Sequence, residues 1–249
     1  MQSLFTSIFE GITLMDEHAY EYGGQDITYE HEMCIYELCD LKNLPPDSGV
    51  VIHVNGIGVS PEEFEENCAY LAKMGFNVVG IYNPYHGEGV VNFCRDAFRA
   101  YAGREGHISQ KAIQDFQGAL KSILSTAPQD TRFLLCPHSE GNILASRSLE
   151  KYEDDLSRVG YLGVAPARYM DKTAVGEYAY LMTSLDLVPR FDHFGRREVD
   201  PGRIYIASTP LSQLGGIDHD FRSPTISPHL QRGIENYFQT GKISFGKRN

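Results

Sequence analysis

The stretch FLLCPHSEGNILA, Phe133 to Ala145, sets a serine where it could do chemistry. An apolar run of strand formers stops at His138-Ser139-Glu140-Gly141, and Asn142, Ile143, Leu144 and Ala145 read as the start of a helix. A serine hydroxyl is a weak nucleophile. Hydrolysis needs a base to take its proton, a third group to orient that base, and donors for the oxyanion. A tight strand-to-helix turn lifts the hydroxyl clear of the backbone and aims the helix amides at it. Gly141 meets the need for a small residue two places after the serine, whereas Pro137 stands where the G-x-S-x-G pattern has glycine. The competing reading is that Ser139 simply N-caps the helix that follows.

The elements around this turn follow from periodicity and punctuation. VVIHVNG (Val50 to Gly56) is a β-branched run ending in glycine, and SPEEFEENCAYLAKMG follows it as a helix with Ser60 as cap, Pro61 in the first turn and Gly75 as stop. NVVGIYN (Asn77 to Asn83) and RFLLC (Arg132 to Cys136) are two further strands. Between them, SQKAIQDFQGALKSIL (Ser109 to Leu124) carries Ala112, Ile113, Phe116, Leu120 and Ile123 on one helical face. VGYLGVAPA (159–167), YAYLMTS (178–184) and RIYIAST (203–209) read as three more strands, and PHLQRGIENYF (228–238) as the closing helix. Strands apolar on both faces that alternate with helices predict a mostly parallel sheet covered on both sides, with ligands at the carboxyl ends of the strands. Upstream, the loose alternation in DITYEHEMCIYEL predicts one or two half-buried strands before NLPPDSG interrupts the chain. Residues 1–49 are therefore a β-rich N-terminal segment, packed on the core or used for interaction, and residues 50–249 form one α/β domain.

PHSEGNILA, TSLDLVPRF and DHDFRSPTI occur in that order, and with these motifs the chain resembles the α/β-hydrolase superfamily over about residues 50 to 240. Its C-terminal part is similar to the fungal-type (class 3) lipases, which have a G-H-S-x-G elbow, an aspartate in a D-x-V-P-R-type segment, and a histidine followed closely by Ser-Pro. The resemblance implies an α/β-hydrolase fold with Ser139 as nucleophile, Asp186 as the acid and His219 as the base. The strand pattern agrees, because Asp186 lies just past YAYLMTS and His219 in the loop after RIYIAST, each beyond a separate strand. Serine, acid, histidine is also the chain order of that plan. Asp186 could instead cap a turn before LVPR, with Asp192 and Asp218 as reserve acids. His219, flanked by Asp218 and Asp220, has a metal-binding patch as its lesser reading. The combination of NGIG, YNPYHG, HS-x-G and DHDFRSPT also resembles uncharacterised hydrolase-like proteins of chlamydia-type bacteria, which implies no substrate.

An oxyanion hole needs two backbone amides. Glu140, the residue after the serine, supplies one, and Ile57 in the HVNGIGVS loop is expected to supply the other, with Gly56 and Gly58 permitting close backbone approach. The plain alternative for Ile57 is an ordinary βα turn. His138 is expected to leave the turn in another direction and to be structural, His193 shares a loop with Asp186, and His53, His86 and His229 have no chemical claim. The stretch Tyr85 to Ile108 either caps an acyl pocket or packs as an extra helix. GIGVSPEEF lacks the G-x-G-x-x-G spacing, and no G-K-[ST] P-loop occurs, so nucleotide binding is not expected. No cofactor is expected.

Composition narrows the partners. With 42% hydrophobic residues and no biased tract the chain reads as globular. Twenty-two Lys and Arg against 33 Asp and Glu give a net charge of −11, which repels phosphate backbones, so no nucleic acid is expected. Nine carboxylates precede Lys42, the first basic residue. That acidic segment is available to a protein partner, and it lacks the basic n-region of a secretory leader. No apolar run reaches the roughly 18 residues of a membrane span. Five cysteines without CxxC spacing suggest neither a disulfide framework nor a zinc site. A cytoplasmic protein, or one exported without a cleavable signal, is the expectation. Two classes of function fit: a serine hydrolase acting on a carboxylic ester or lipid acyl group through an acyl-enzyme, and a non-catalytic protein that binds a ligand or partner in the same cleft.

Overall fold

The computed structural model describes residues 20–22, 25–27, 33–56, 58–84, 108, 110–170, 175–190, 199–209 and 219–246. A short antiparallel ribbon comes first, β1 (Tyr20–Tyr22) paired with β2 (Gln25–Ile27). Seven strands then build one sheet: β3 (Cys34–Glu37), β4 (Gly49–Val54), β5 (Asn77–Tyr82), β6 (Arg132–Pro137), β7 (Val159–Val164), β8 (Glu177–Thr183) and β9 (Ile204–Ala207). Their spatial order is β3-β5-β4-β6-β7-β8-β9, all parallel except β3, which runs antiparallel to β5 with Cys34 opposite Tyr82. A strand from the first 49 residues thus forms one edge of the sheet.

The two-residue period of a strand decides where the helices lie. Val50, Ile52 and Val54 face α2 (Gln110–Thr126) and α3 (Gly141–Glu150), packing with Phe116, Leu120, Leu144 and Leu149. Val51, Val78, Leu134 and Leu162 face the other way, onto Phe64, Cys68 and Leu71 of α1 (Pro61–Lys73) and Leu230, Ile234 and Tyr237 of α4 (Ser227–Thr240). Ser60 caps α1 as its sequence predicts, its Oγ accepting from the Glu63 amide at 3.2 Å. No helix among the described residues is long and apolar enough to cross a membrane.

β4 and β6 lie side by side, but the helices that follow them, α1 and α3, cover opposite faces. The chain therefore leaves their carboxyl ends toward opposite faces, and such a switch point is where open α/β sheets bind ligands.

One histidine is part of this core. His53 of β4 has no exposed surface; its ring stacks on Phe64 and leans on Phe221, and its Nδ1–H donates to the Cys136 carbonyl at 3.2 Å. Burial pushes its pKa down to about 4, outweighing that hydrogen bond. An unfolded histidine titrates near 6.5, so between those values the unfolded chain binds the extra proton and acid favours unfolding. His53 should therefore cost the fold about 3 kcal/mol as pH falls from about 6.5 to about 4. Urea midpoints between pH 7.5 and 4.5 are expected to fall less steeply in His53→Phe than in the wild type; equal slopes would remove His53 as the cause.

Candidate functional site

The turn after β6 stands at this switch point. Pro137, the last residue of β6, pairs with Val54; the His138 amide donates to the Val54 carbonyl at 2.9 Å and the Ser139 amide to the Val164 carbonyl at 3.0 Å. Hydrogen bonds on both sides thus hold the chain until it reverses. At Ser139 it does so with φ +52, the left-handed region that a side chain disfavours. The amides of Gly141 and Asn142 then bond back to the carbonyls of His138 and Ser139, which starts α3. The N-cap position of α3 is Glu140, with no side-chain capping bond, so Ser139 is not the cap of this helix. The turn forms with Pro137 in place of glycine.

Two glycines permit the crowding here. A Cβ on Gly141 would lie 2.5 Å from the Asn55 carbonyl oxygen, and one on Gly56 would lie 2.8 Å from Cβ of Ser139. The ends of β4 and β6 touch through backbone, and no side chain fits between them.

Asn142, fully buried, braces the turn from inside α3. Its Nδ2 lies 3.1 Å from the carbonyls of Pro137 and Ser139 and 3.2 Å from that of Val164, and its Oδ1 accepts from the Tyr161 hydroxyl at 2.9 Å. Leucine at this position would leave buried carbonyls and a buried hydroxyl short of partners. Asn142→Leu is expected to cost about 2–3 kcal/mol, each orphaned group being worth about 1–3; a thermal melt that matches the wild type would refute the brace.

The residues that meet Ser139 come from the ends of β8 and from the loop after β9. The Ser139 hydroxyl donates to His219 Nε2 at 2.8 Å, and His219 Nδ1–H donates to Asp186 Oδ2 at 2.8 Å. Ser139 is 4% exposed and Asp186 1%, while the His219 side chain keeps 19%, which leaves the imidazole as the member of the chain most open to solvent. Asp186 also does what the turn-cap reading asks of it. Its Oδ1 accepts from the Val188 amide at 3.0 Å, which leaves Oδ2 facing the imidazole. The turn bond therefore orients the carboxylate.

Glu140 sits at the amino end of α3, where helix amides converge and the dipole is positive. Its carboxylate accepts from Asn83 Nδ2 at 3.1 Å. Asn83 is itself locked to Asn55: the Asn83 amide donates to Asn55 Oδ1 at 2.6 Å, and Asn55 Nδ2 donates to the Asn83 carbonyl at 2.8 Å. This cross-link ties the ends of β4 and β5 together. Sequence reasoning does not single out Asn55, Asn83 or Asn142. For the first two, the visible signal is an asparagine directly after each of the runs VVIHV and VVGIY, where an apolar strand ends.

The structure brings Ser139, Asp186, His219 and Glu140 to one place. Ile57, the reserves Asp192 and Asp218, and His86 and His193 lie outside the described residues, as does the proposed cap from Tyr85 onward except Ile108. His229 is elsewhere, on α4 against Tyr205. Among the described residues no three His, Cys, Asp or Glu side chains are grouped to hold a metal ion.

No protein-family model matches the chain, and no curated protein matches it in sequence. Solved structures do match its fold. Acyl-protein thioesterase 2 of Zea mays aligns over 82% of this chain and 98% of its own, with a TM-score of 0.51 and 11% identity. A candidate carboxylesterase from Lactobacillus plantarum aligns over 94% and 100%, with a TM-score of 0.50 and 11% identity. TT1662 from Thermus thermophilus aligns over 91% and 100%, with a TM-score of 0.50 and 12% identity. At such identities the likeness is one of fold.

Proposed function

On the α/β-hydrolase fold that this chain adopts, we propose that Ser139, His219 and Asp186 work as the nucleophile, base and acid of a serine hydrolase acting on carboxylic esters or lipid acyl groups. One observation carries the reading: an unbroken line from the Ser139 hydroxyl through both nitrogens of His219 to Asp186, each step 2.8 Å. The three residues are far apart in sequence and meet only at the carboxyl end of the sheet, where this fold places its chemistry.

The reaction follows from that line. Ser139 Oγ attacks the acyl carbon while His219 Nε2 takes its proton, and the oxyanion is held by backbone amides, with Glu140 as the donor at the helix start and Ile57 as the donor from the loop after β4. The C–O bond to the leaving group breaks as His219 returns the proton to the departing oxygen. Water, deprotonated by His219, then attacks the acyl carbon, and the acyl–Oγ bond breaks as His219 returns that proton to Ser139, which releases the acid and restores the enzyme. Asp186 holds Nδ1–H throughout and stabilises the imidazolium. No cofactor or metal enters these steps. The class 3 lipase resemblance of PHSEGNILA, TSLDLVPRF and DHDFRSPTI supports an ester or lipid acyl substrate, and the names of the maize and Lactobacillus proteins are compatible with acyl transfer to water.

A fluorophosphonate reports the reading directly, because an activated serine displaces fluoride and keeps the phosphonyl group. One adduct by intact mass on the wild type, absent from Ser139→Ala, is expected. No adduct on the folded wild type would favour the reading in which the same site only binds a ligand or partner.

A further inference from the structure

His138 takes no part in these steps, yet its side chain is committed to the neighbouring loop. It is 8% exposed, and its Nε2 lies 2.8 Å from the main-chain carbonyl of His219. A carbonyl only accepts, so His138 carries its proton on Nε2 and donates it there. Among the described residues this is the one hydrogen bond made by the His219 backbone. The two imidazoles are 5.0 Å apart, and Phe221 meets His138 edge-on with ring centres 5.6 Å apart and packs onto His53 at 4.7 Å.

His219 is therefore gripped at both ends by two consecutive residues: Ser139 holds its ring and His138 holds its carbonyl. We propose that His138 is a positioning residue that clamps His219 to the turn, so that the distance from nucleophile to base is set through a single peptide unit. Among the described residues, the other anchors of this loop lie farther along it. Asp220 Oδ1 accepts from the Arg222 amide, Arg222 pairs with Glu66 of α1 at the surface, and Ser223 organises the approach to α4. None of these fixes His219 itself.

The clamp is also suited to a base that must take up a proton. Burial, and then the neighbouring charges of His219 and His53, hold His138 well below the usual histidine range. The titratable groups around it are His219 on the loop and His53 on β4, with Asp186 beyond His219. A neutral donor in that setting restrains His219 without placing a second positive charge against its imidazolium.

The consequence for rate rests on the serine-hydrolase reading, whereas the clamp itself does not, and the experiment separates them. Wild type, His138→Gln and His138→Leu are compared for the rate of fluorophosphonate labelling, for the deshielded proton resonance of His219 Nδ1–H, and for thermal midpoint. Glutamine can present an Nε2 donor close to where histidine has it; leucine cannot. Folded His138→Leu is expected to label about 10- to 100-fold more slowly, the scale of a misplaced catalytic group, and to lose or shift the Nδ1 resonance. His138→Gln should recover most of the rate and the resonance. Should His138→Leu not fold, His138→Asn replaces it, since its shorter amide stops short of the carbonyl.

A folded leucine or asparagine variant with the wild-type rate and resonance overturns the clamp, as does a folded glutamine variant no better than either. If the wild type is never labelled but the resonance responds across the variants as expected, the hydrolase reading falls and the clamp stands.

Discussion

Ser139→Ala is expected to abolish turnover, lowering kcat by about six orders of magnitude, the scale on which serine-protease relays lose rate when the nucleophile goes. The variant should remain folded. Alanine keeps the Cβ that already lies in the left-handed region at φ +52, so no new backbone strain arises, and the lost hydroxyl leaves a space too small to unsettle the turn. The measurement is kcat on a panel of short- and long-chain acyl esters beside a circular-dichroism melt. Residual activity above about a thousandth of wild type would place the nucleophile elsewhere, because a missing nucleophile has no partial substitute in this mechanism. The same backbone angle yields a companion result. Ser139→Gly should be as inactive as alanine but more stable by about 1 kcal/mol, since glycine relieves the left-handed strain. A lower thermal midpoint than that of Ser139→Ala would show that the turn stores no such strain.

The second large effect is on Asp186. Asp186→Asn is expected to cost about four orders of magnitude in kcat, as in the serine-protease relay when its acid becomes an amide. The structure supplies a local reason. The Val188 amide must find an acceptor, which commits the new Oδ1 to it and turns the new Nδ2–H₂ toward His219 Nδ1. Nδ1 then has to accept, the ring proton moves to Nε2, and the nitrogen that should take the Ser139 proton is already occupied. The check is kcat together with the 15N shifts of the two ring nitrogens. An asparagine variant with wild-type turnover would move the acid to another carboxylate. One with low turnover but an unchanged tautomer would assign the loss to charge alone.

Much of this arrangement is legible in the residues. The runs VVIHV, NVVGIY, RFLLC, VGYLGV and YAYLMT have the β-branched and aromatic content of buried strands, and they lie in the sheet within a residue or two of where their punctuation puts them. The strand ending before a serine and a glycine, with a helix after, marks the turn, because its geometry depends on residues adjacent in the chain. Asp186 and His219 needed more than pattern. Their motifs resemble those of a known family, and their positions beyond strand ends agree with it.

What the linear order could not state is which ends lie together. Periodicity reports which side of a strand is buried, and it carries no information on which strand is its neighbour, so β3 at the antiparallel edge and the pairing of β4 with β6 emerge only in the folded chain. The hydrogen bonds of the site follow the same division. Ser139 and Gly141 are determined by local backbone geometry, whereas the partnership of Asn55 with Asn83, the brace of Asn142 with Tyr161, and the bond from His138 to His219 join residues 19 to 81 positions apart. Such bonds exist only once the sheet has brought those residues within 3 Å or so of each other. The sequence by itself determines the turn, the strands and the types of group available for chemistry. The tertiary structure decides which of them touch, because a hydrogen bond depends on distance and direction, and the order of residues along the chain sets neither.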